Sequence, residues 1–128
     1  MPKPRILLVD DSNTVLTMER MFLSDETYDI LVARDGEEGV AKALAERPDL
    51  ILMDVVMPGI DGFEACRRLR QHTTTKEIPI IMVTTRGEAE SIETGYSSGC
   101  NDYVTKPIDG LELLMKIRNC LAPSGGGS

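Results

Sequence analysis

Two short apolar runs, residues 6–9 and 50–53, share a feature: each ends in acid, Asp10-Asp11 after the first and Asp54 after the second. Four apolar residues without polar alternation suit a strand covered on both faces, as in a parallel sheet flanked by helices. Between the two runs the period changes. Ser12 or Asp11 caps a helix whose apolar positions Val15, Met18 and Phe22 fall on one face. Tyr28, Ile30 and Val32 then alternate along a short second strand. Asp35, three residues before Glu38, opens a further helix in the manner of a capping box, with Val40, Ala41 and Leu44 inward and an end before Pro48.

Beyond Asp54 the pairs Pro58-Gly59 and Asp61-Gly62 punctuate a loop, and Phe63, Cys66 and Leu69 mark a third helix. Thr73-Thr74-Thr75 is a polar connection to a fourth strand over residues 78–83, which ends in Thr84-Thr85. A weakly amphipathic helix runs from Glu88 to about Ser97, with Ala89, Ile92 and Tyr96 on one side, and stops at Gly99. Tyr103-Val104-Thr105 form a last short strand ending at Lys106-Pro107; Leu111, Leu114, Ile117 or Arg118, and Leu121 set the last helix. Five strands alternating with five helices predict an α/β fold with right-handed crossovers, a doubly wound five-stranded parallel sheet and helices on both faces. Its order is taken as the flavodoxin-like 2-1-3-4-5. Residues 1–121 are read as the domain, and the small-residue stretch 122–128 as a flexible tail, a linker or an expression scar.

Composition narrows the function classes. A chain of 128 residues suits one domain that buries roughly two-thirds of its unfolded surface. The net charge of −7 argues against direct binding to nucleic acid or to an anionic membrane, and the absence of Trp leaves little for base stacking. Cys66, Cys100 and Cys120 are odd in number and widely spaced, which fits neither a disulfide framework nor a zinc site and points to a reducing cytoplasm. The first apolar run is too short for a signal peptide or a bilayer span.

The candidate chemistry lies at the strand ends: Asp10 and Asp11 after the first, Asp54 after the third, Thr84 after the fourth, Lys106 after the fifth. In the order 2-1-3-4-5 these ends are neighbours along one edge, where ligands of open α/β sheets bind. Carboxylates about 4 Å apart repel by roughly 4 kcal/mol per pair at an effective dielectric near 20, a cost that a bound cation removes. All-oxygen ligands suit Mg²⁺, which keeps waters and leaves room for phosphate oxygens. A carboxylate beside such an ion can attack phosphorus, and Asp54 at the end of the central strand is the best placed. Thr84 would supply a hydroxyl and Lys106 an ammonium to the new phosphoryl oxygens.

Together, Leu8-Val9-Asp10-Asp11-Ser12, Met53-Asp54, Met57-Pro58-Gly59-Ile60-Asp61-Gly62, Val83-Thr84 and Tyr103-Val104-Thr105-Lys106-Pro107 resemble the response-regulator receiver domain of bacterial two-component signalling, over residues 5–121. The wording around Val56 and Val83 is similar to the small receivers of chemotaxis and twitching motility. The resemblance implies Asp54 as phosphoacceptor; Asp11 and, partly through water, Asp10 as metal carboxylates; and the backbone carbonyl of Val56 as a further Mg²⁺ ligand. It implies Thr84 and Tyr103 as a switch pair, a cis Lys106-Pro107 bond, a sensor histidine kinase or phosphotransfer protein as donor, and a downstream target or fused output domain as recipient. Two positions depart from the commonest pattern of the family: Thr85 stands where Ala or Gly is frequent, narrowing the path of Tyr103, and Ile108 where Phe is frequent.

Rival readings are a pseudo-receiver that docks without phosphorylation, a flavodoxin-type cofactor binder and an Asp-nucleophile phosphatase. The second would need a phosphate-cradling loop where Asp10-Asp11 stands, and the third an acid at position 56, which is Val. His72 and the Arg67-Arg68-Arg70 cluster read as solvated, and the seven Met residues mostly as core filler.

Overall fold

The computed structural model describes residues 3–24, 26–85 and 89–122. In chain order the elements are β1 (Arg5–Val9), α1 (Asn13–Phe22), β2 (Asp29–Ala33), α2 (Gly36–Glu46), β3 (Leu50–Asp54), α3 (Gly62–Arg70), β4 (Ile80–Thr85), α4 (Ala89–Ser98), β5 (Asp102–Lys106) and α5 (Gly110–Leu121). All strands are parallel, in the order β2-β1-β3-β4-β5.

The apolar runs alternate between two layers, as a pleated strand requires. Leu7, Val9, Ile51, Met53, Ile80 and Met82 face Ala43 of α2 and Phe63, Ala65, Cys66 and Leu69 of α3. Ile6, Leu8, Leu50, Leu52, Ile81, Val83 and Val104 face Leu16 of α1, Leu23 just beyond it, and Leu113 and Ile117 of α5. Both faces of β1, β3 and β4 are covered, so these strands show no alternation of apolar and polar residues.

Helix starts follow the sequence. Ser12 caps α1 and accepts from Val15 N–H; Asp35, Asp61 and Asp109 cap α2, α3 and α5 in the same way. Glu38 reaches back to the N–H of Arg34, one residue earlier than in a standard capping box.

The buried faces of three helices differ from the expected ones. On α1 the inner stripe is Leu16 and Glu19, continued by Leu23, with Val15 and Phe22 half-buried; Met18 stands exposed. On α2 Gly36, Gly39 and Ala43 are buried, Val40 and Leu44 half-buried and Ala41 exposed. On α5 Leu113 and Ile117 fill the interior while Leu111 is 70% exposed. The cause is common to all three: two overlapping stripes, one residue apart, satisfy the same helical period, and the neighbouring layer selects one. Methionine divides likewise, with Met53, Met57 and Met82 buried but Met18, Met21 and Met115 exposed. The side chains of Thr85, Ala89 and Ile92, the start of the fourth helix at Glu88 and the tail 123–128 lie outside the described residues.

The arginine cluster is only partly solvated. Arg70 donates to the carbonyls of Gly99, Thr75 and Ile78 and to Asn101 Oδ1, which also accepts from Ile80 N–H. One guanidinium thereby ties α3 to the turn before β4 and to the turn between α4 and β5. Gly99 permits this contact: its φ is +106°, and a Cβ there would meet Arg70 Cγ at 2.8 Å.

Candidate functional site

The carboxyl ends of β1, β3, β4 and β5 converge. Asp10 continues β1, its N–H donating to Ala33 O, and its Oδ1 accepts from Ser12 N–H at 2.8 Å. Asp54 is the last residue of β3, paired with Val83. Both side chains are buried, whereas Asp11 is exposed at the rim. Oxygen atoms of Asp10, Asp11 and Asp54 lie within 4.8 Å of one another. Lys106, from the end of β5, places Nζ 3.1 Å from Asp54 Oδ1 and 3.9 Å from Asp10 Oδ2.

The loop after β3 closes tightly over the site. Gly62 N–H donates to Val55 O at 2.8 Å, and a Cβ on Gly62 would stand 2.2 Å from the Asp54 carbonyl oxygen. Only glycine fits that approach. Val56, the second residue of this loop, has its side chain 69% exposed.

Thr84 and Tyr103 sit on neighbouring strands. Thr84 is 2% exposed and its hydroxyl has no hydrogen-bond partner among the described residues. Tyr103 is half-buried against the layer holding Phe63 and Met82; its ring meets Tyr96 edge-on at 6.1 Å and has Lys116 Nζ 4.7 Å from its centre. The Lys106-Pro107 bond is cis, as the resemblance implies. His72 follows α3 at the opposite end of the strands from these groups.

The electrostatics reflect like charges confined together. Burial first, and then the charge of Asp10, push the Asp54 carboxyl up from 3.8 to about 6, against the opposing pull of Lys106. Burial likewise raises Asp10, opposed by the Ser12 N–H and by Lys106. For Lys106 burial acts to lower the value, but the hydrogen bond to Asp54 and the charges of Asp54, Asp10 and Glu19 outweigh it, and the ammonium is held above its ordinary range.

Two buried oxygens of the site, Asp10 Oδ2 and Thr84 Oγ1, have no hydrogen-bond partner among the described residues. Unsatisfied buried acceptors beside two further carboxylates fit a hard divalent cation with oxygen ligands. The oxygen set therefore fits Mg²⁺, which Asp10, Asp11 and Asp54 would hold.

A fourth acidic residue belongs to the surroundings. Glu19 on α1 is 1% exposed, and its Oε1 has no hydrogen-bond partner among the described residues. Its position three residues after Leu16 and four before Leu23 is the available signal, a carboxylate inside an apolar stripe.

Residues 6–118 match the response regulator receiver domain family. Protein PilH of Pseudomonas aeruginosa is 43% identical over 118 residues, covering 92% of this chain and 98% of PilH. The DNA-binding dual master transcriptional regulator RpaA of Synechocystis sp. is 40% identical over 92% of this chain but only 49% of its own length, so the chain spans about half of that relative. Among solved structures, the receiver domain of the sensor histidine kinase PA1611 from P. aeruginosa, with a magnesium ion coordinated in its active site cleft, is 30% identical with a TM-score of 0.87, covering 95% of this chain and 100% of that one. The DNA-binding relative leaves the expectation of no nucleic-acid contact unconfirmed for any longer protein of this kind. Among the described residues no helix is long and apolar enough to cross a membrane.

Proposed function

Because the chain belongs to the response regulator receiver family of two-component signalling, we propose that it accepts a phosphoryl group on Asp54 and relays the event as a conformational switch. The observation that carries this reading is the convergence of Asp10, Asp11, Asp54 and Lys106 at one sheet edge. Residues 1–121 act as the receiver unit, and the chemistry resides in five side chains and one carbonyl.

An oxygen of Asp54 attacks the phosphorus of a phosphohistidine on a sensor kinase or phosphotransfer protein. The P–N bond breaks as the P–O bond forms, the P–N pair stays on nitrogen, and the histidine, protonated on its other ring nitrogen, leaves as neutral imidazole. Asp10, Asp11, Asp54 and the Val56 carbonyl would hold Mg²⁺, which when bound neutralises charge on the transferred group. Lys106 turns its ammonium from Asp54 to a phosphoryl oxygen, a charge-assisted bond that replaces the present one. Thr84, whose hydroxyl has no partner among the described residues, donates to another. The same set admits a water for hydrolysis of the acyl phosphate, so the activity is self-limiting rather than that of a turnover enzyme.

The readout passes through Tyr103, whose neighbours Tyr96 and Lys116 belong to α4 and α5. Movement of Thr84 toward the phosphoryl group frees the space that the ring enters, shifting the population of the α4-β5-α5 face. The recipient is a separate target or a fused output domain, and the setting is cytoplasmic.

Incubation with a small acyl phosphate and Mg²⁺, followed by intact mass measurement, tests the reading. One phosphoryl group is expected on the wild-type chain and none on Asp54→Asn. An equal gain in the variant, or none in either, overturns it.

A further inference from the structure

Lys116 of α5 reaches the open edge of β5, the outermost strand of the sheet. Its Nζ lies 4.7 Å from the centre of the Tyr103 ring, donates to the Tyr103 carbonyl, and pairs with Asp102 Oδ1 at 3.5 Å and Glu112 Oε2 at 3.6 Å. The ring packs with the layer that contains α3, whereas α5 covers the opposite face. Ring and ammonium therefore meet around the edge strand, and the half-buried ring stands at that edge. Tyr96 of α4 touches it there, edge-on at 6.1 Å.

We propose that Lys116 is a positioning residue for Tyr103: its ammonium, fixed by Asp102, Glu112 and the Tyr103 carbonyl, holds the ring at the β5 edge until phosphoryl loading draws Thr84 aside and opens the inner position. The inference rests on the ring displacement proposed above and adds the contact that opposes it. Lys116 takes no part in phosphoryl transfer.

The geometry lets the ring leave while the ammonium stays. Three oxygen partners anchor Nζ, one from α5 itself and two from β5. Rotation about the Tyr103 Cα–Cβ bond removes the ring from the cation without disturbing those oxygens. The negative face of a tyrosine ring attracts a cation at this distance, and the Lys116 side chain is 22% exposed, so the attraction is partly screened. One such contact biases a two-position ring by about fivefold. Complete inversion of a two-state equilibrium takes roughly 10⁴-fold, so this contact poises the ring without locking it.

The full chain labelled with 3-fluorotyrosine carries three reporters, Tyr28, Tyr96 and Tyr103, which Tyr28→Phe and Tyr96→Phe assign. The readout is the change in the Tyr103 fluorine resonance between H₂O and D₂O, which shrinks as the ring leaves solvent. Lys116→Met removes the ammonium at similar length, and Lys116→Arg keeps a cation that stacks on aromatic faces. Without phosphodonor, Lys116→Met is expected to lower the edge-to-inner ratio about fivefold, moving the Tyr103 value toward that of the wild type treated with a small acyl phosphate and Mg²⁺. Lys116→Arg is expected to keep the untreated wild-type value. A Tyr103 value in Lys116→Met equal to that of the untreated wild type overturns the proposal whatever the melting temperature, because a lysine that only stabilises the fold would leave the ring in place. Equal displacement in Lys116→Arg overturns it too. Intact mass of the treated samples separates the two readings: phosphoryl gain by all three chains with an unmoved ring in Lys116→Met removes only the role of Lys116. No gain by the wild type removes the phosphoacceptor reading, and the untreated comparison still decides the role of Lys116.

Discussion

Lys106 Nζ lies 3.1 Å from Asp54 Oδ1 while Asp54 is 4% exposed, so a partly solvated ammonium from β5 is the principal counter-charge of a buried carboxylate on β3. It also reaches Asp10 Oδ2 at 3.9 Å, and one cation thereby serves two strands across the intervening β4. Breaking a buried pair costs more than the pair contributes, because the remaining charge is left uncompensated.

Replacing Lys106 by Met preserves length and removes charge. Metal-free stability should fall by about 1–3 kcal/mol, the partial exposure of Lys106 keeping the loss below that of a fully buried pair. Saturating Mg²⁺ should recover most of it by neutralising the same carboxylates. Urea midpoints with and without Mg²⁺ check this, and an identical loss in both conditions would contradict it.

Stability without metal should decline as pH rises from about 4 to about 8. Asp54 and Glu19 have folded values above their ordinary ones, at about 6 and about 8. The folded chain therefore binds more protons than the unfolded chain in that window. The stabilisation is complete below the unfolded values and is lost as pH passes through the folded ones. At 1.36 kcal/mol per pKa unit the two raised carboxyls set a ceiling on the order of 8 kcal/mol for this change. Thermal melts at stepped pH measure it, and Glu19→Gln should flatten the part above pH 6.

Thr84→Val should cost less than about 1 kcal/mol, since among the described residues its buried hydroxyl makes no bond that valine would forfeit. Phosphoryl loading at Asp54 should persist, while the response of the Tyr103 ring to loading, followed by NMR, should be lost. A large drop in melting temperature would mean that the hydroxyl already has a partner in solution.

Arg70→Lys should destabilise by about 2–4 kcal/mol. A point charge cannot replace a fork that donates to three carbonyls and an amide oxygen, and those acceptors would be left unpaired. Hydrogen exchange should quicken at Ile80 and Asn101 more than at Val9 or Leu52. Uniform acceleration would argue against a local clamp.

The chain itself determined the strands, their covered faces, the acids and the lysine at their ends, and the aspartates and serine that start the helices. Those features are local: an unbroken apolar run can bury both faces only inside a sheet, and a short polar side chain before a helix meets N–H groups that have no other partner. Tertiary packing decided which of two adjacent stripes turns inward on α1 and α5, because a one-residue shift rotates a helix by about 100° without altering the period. That rotation exposes Met18 and Leu111 and encloses Glu19. Packing also drew Arg70 out of a seemingly solvated cluster, since its acceptors come from turns up to 31 residues away in sequence. Distances among Asp10, Asp11, Asp54 and Lys106 were likewise set by strand order, which places β1, β3, β4 and β5 side by side although they are far apart along the chain.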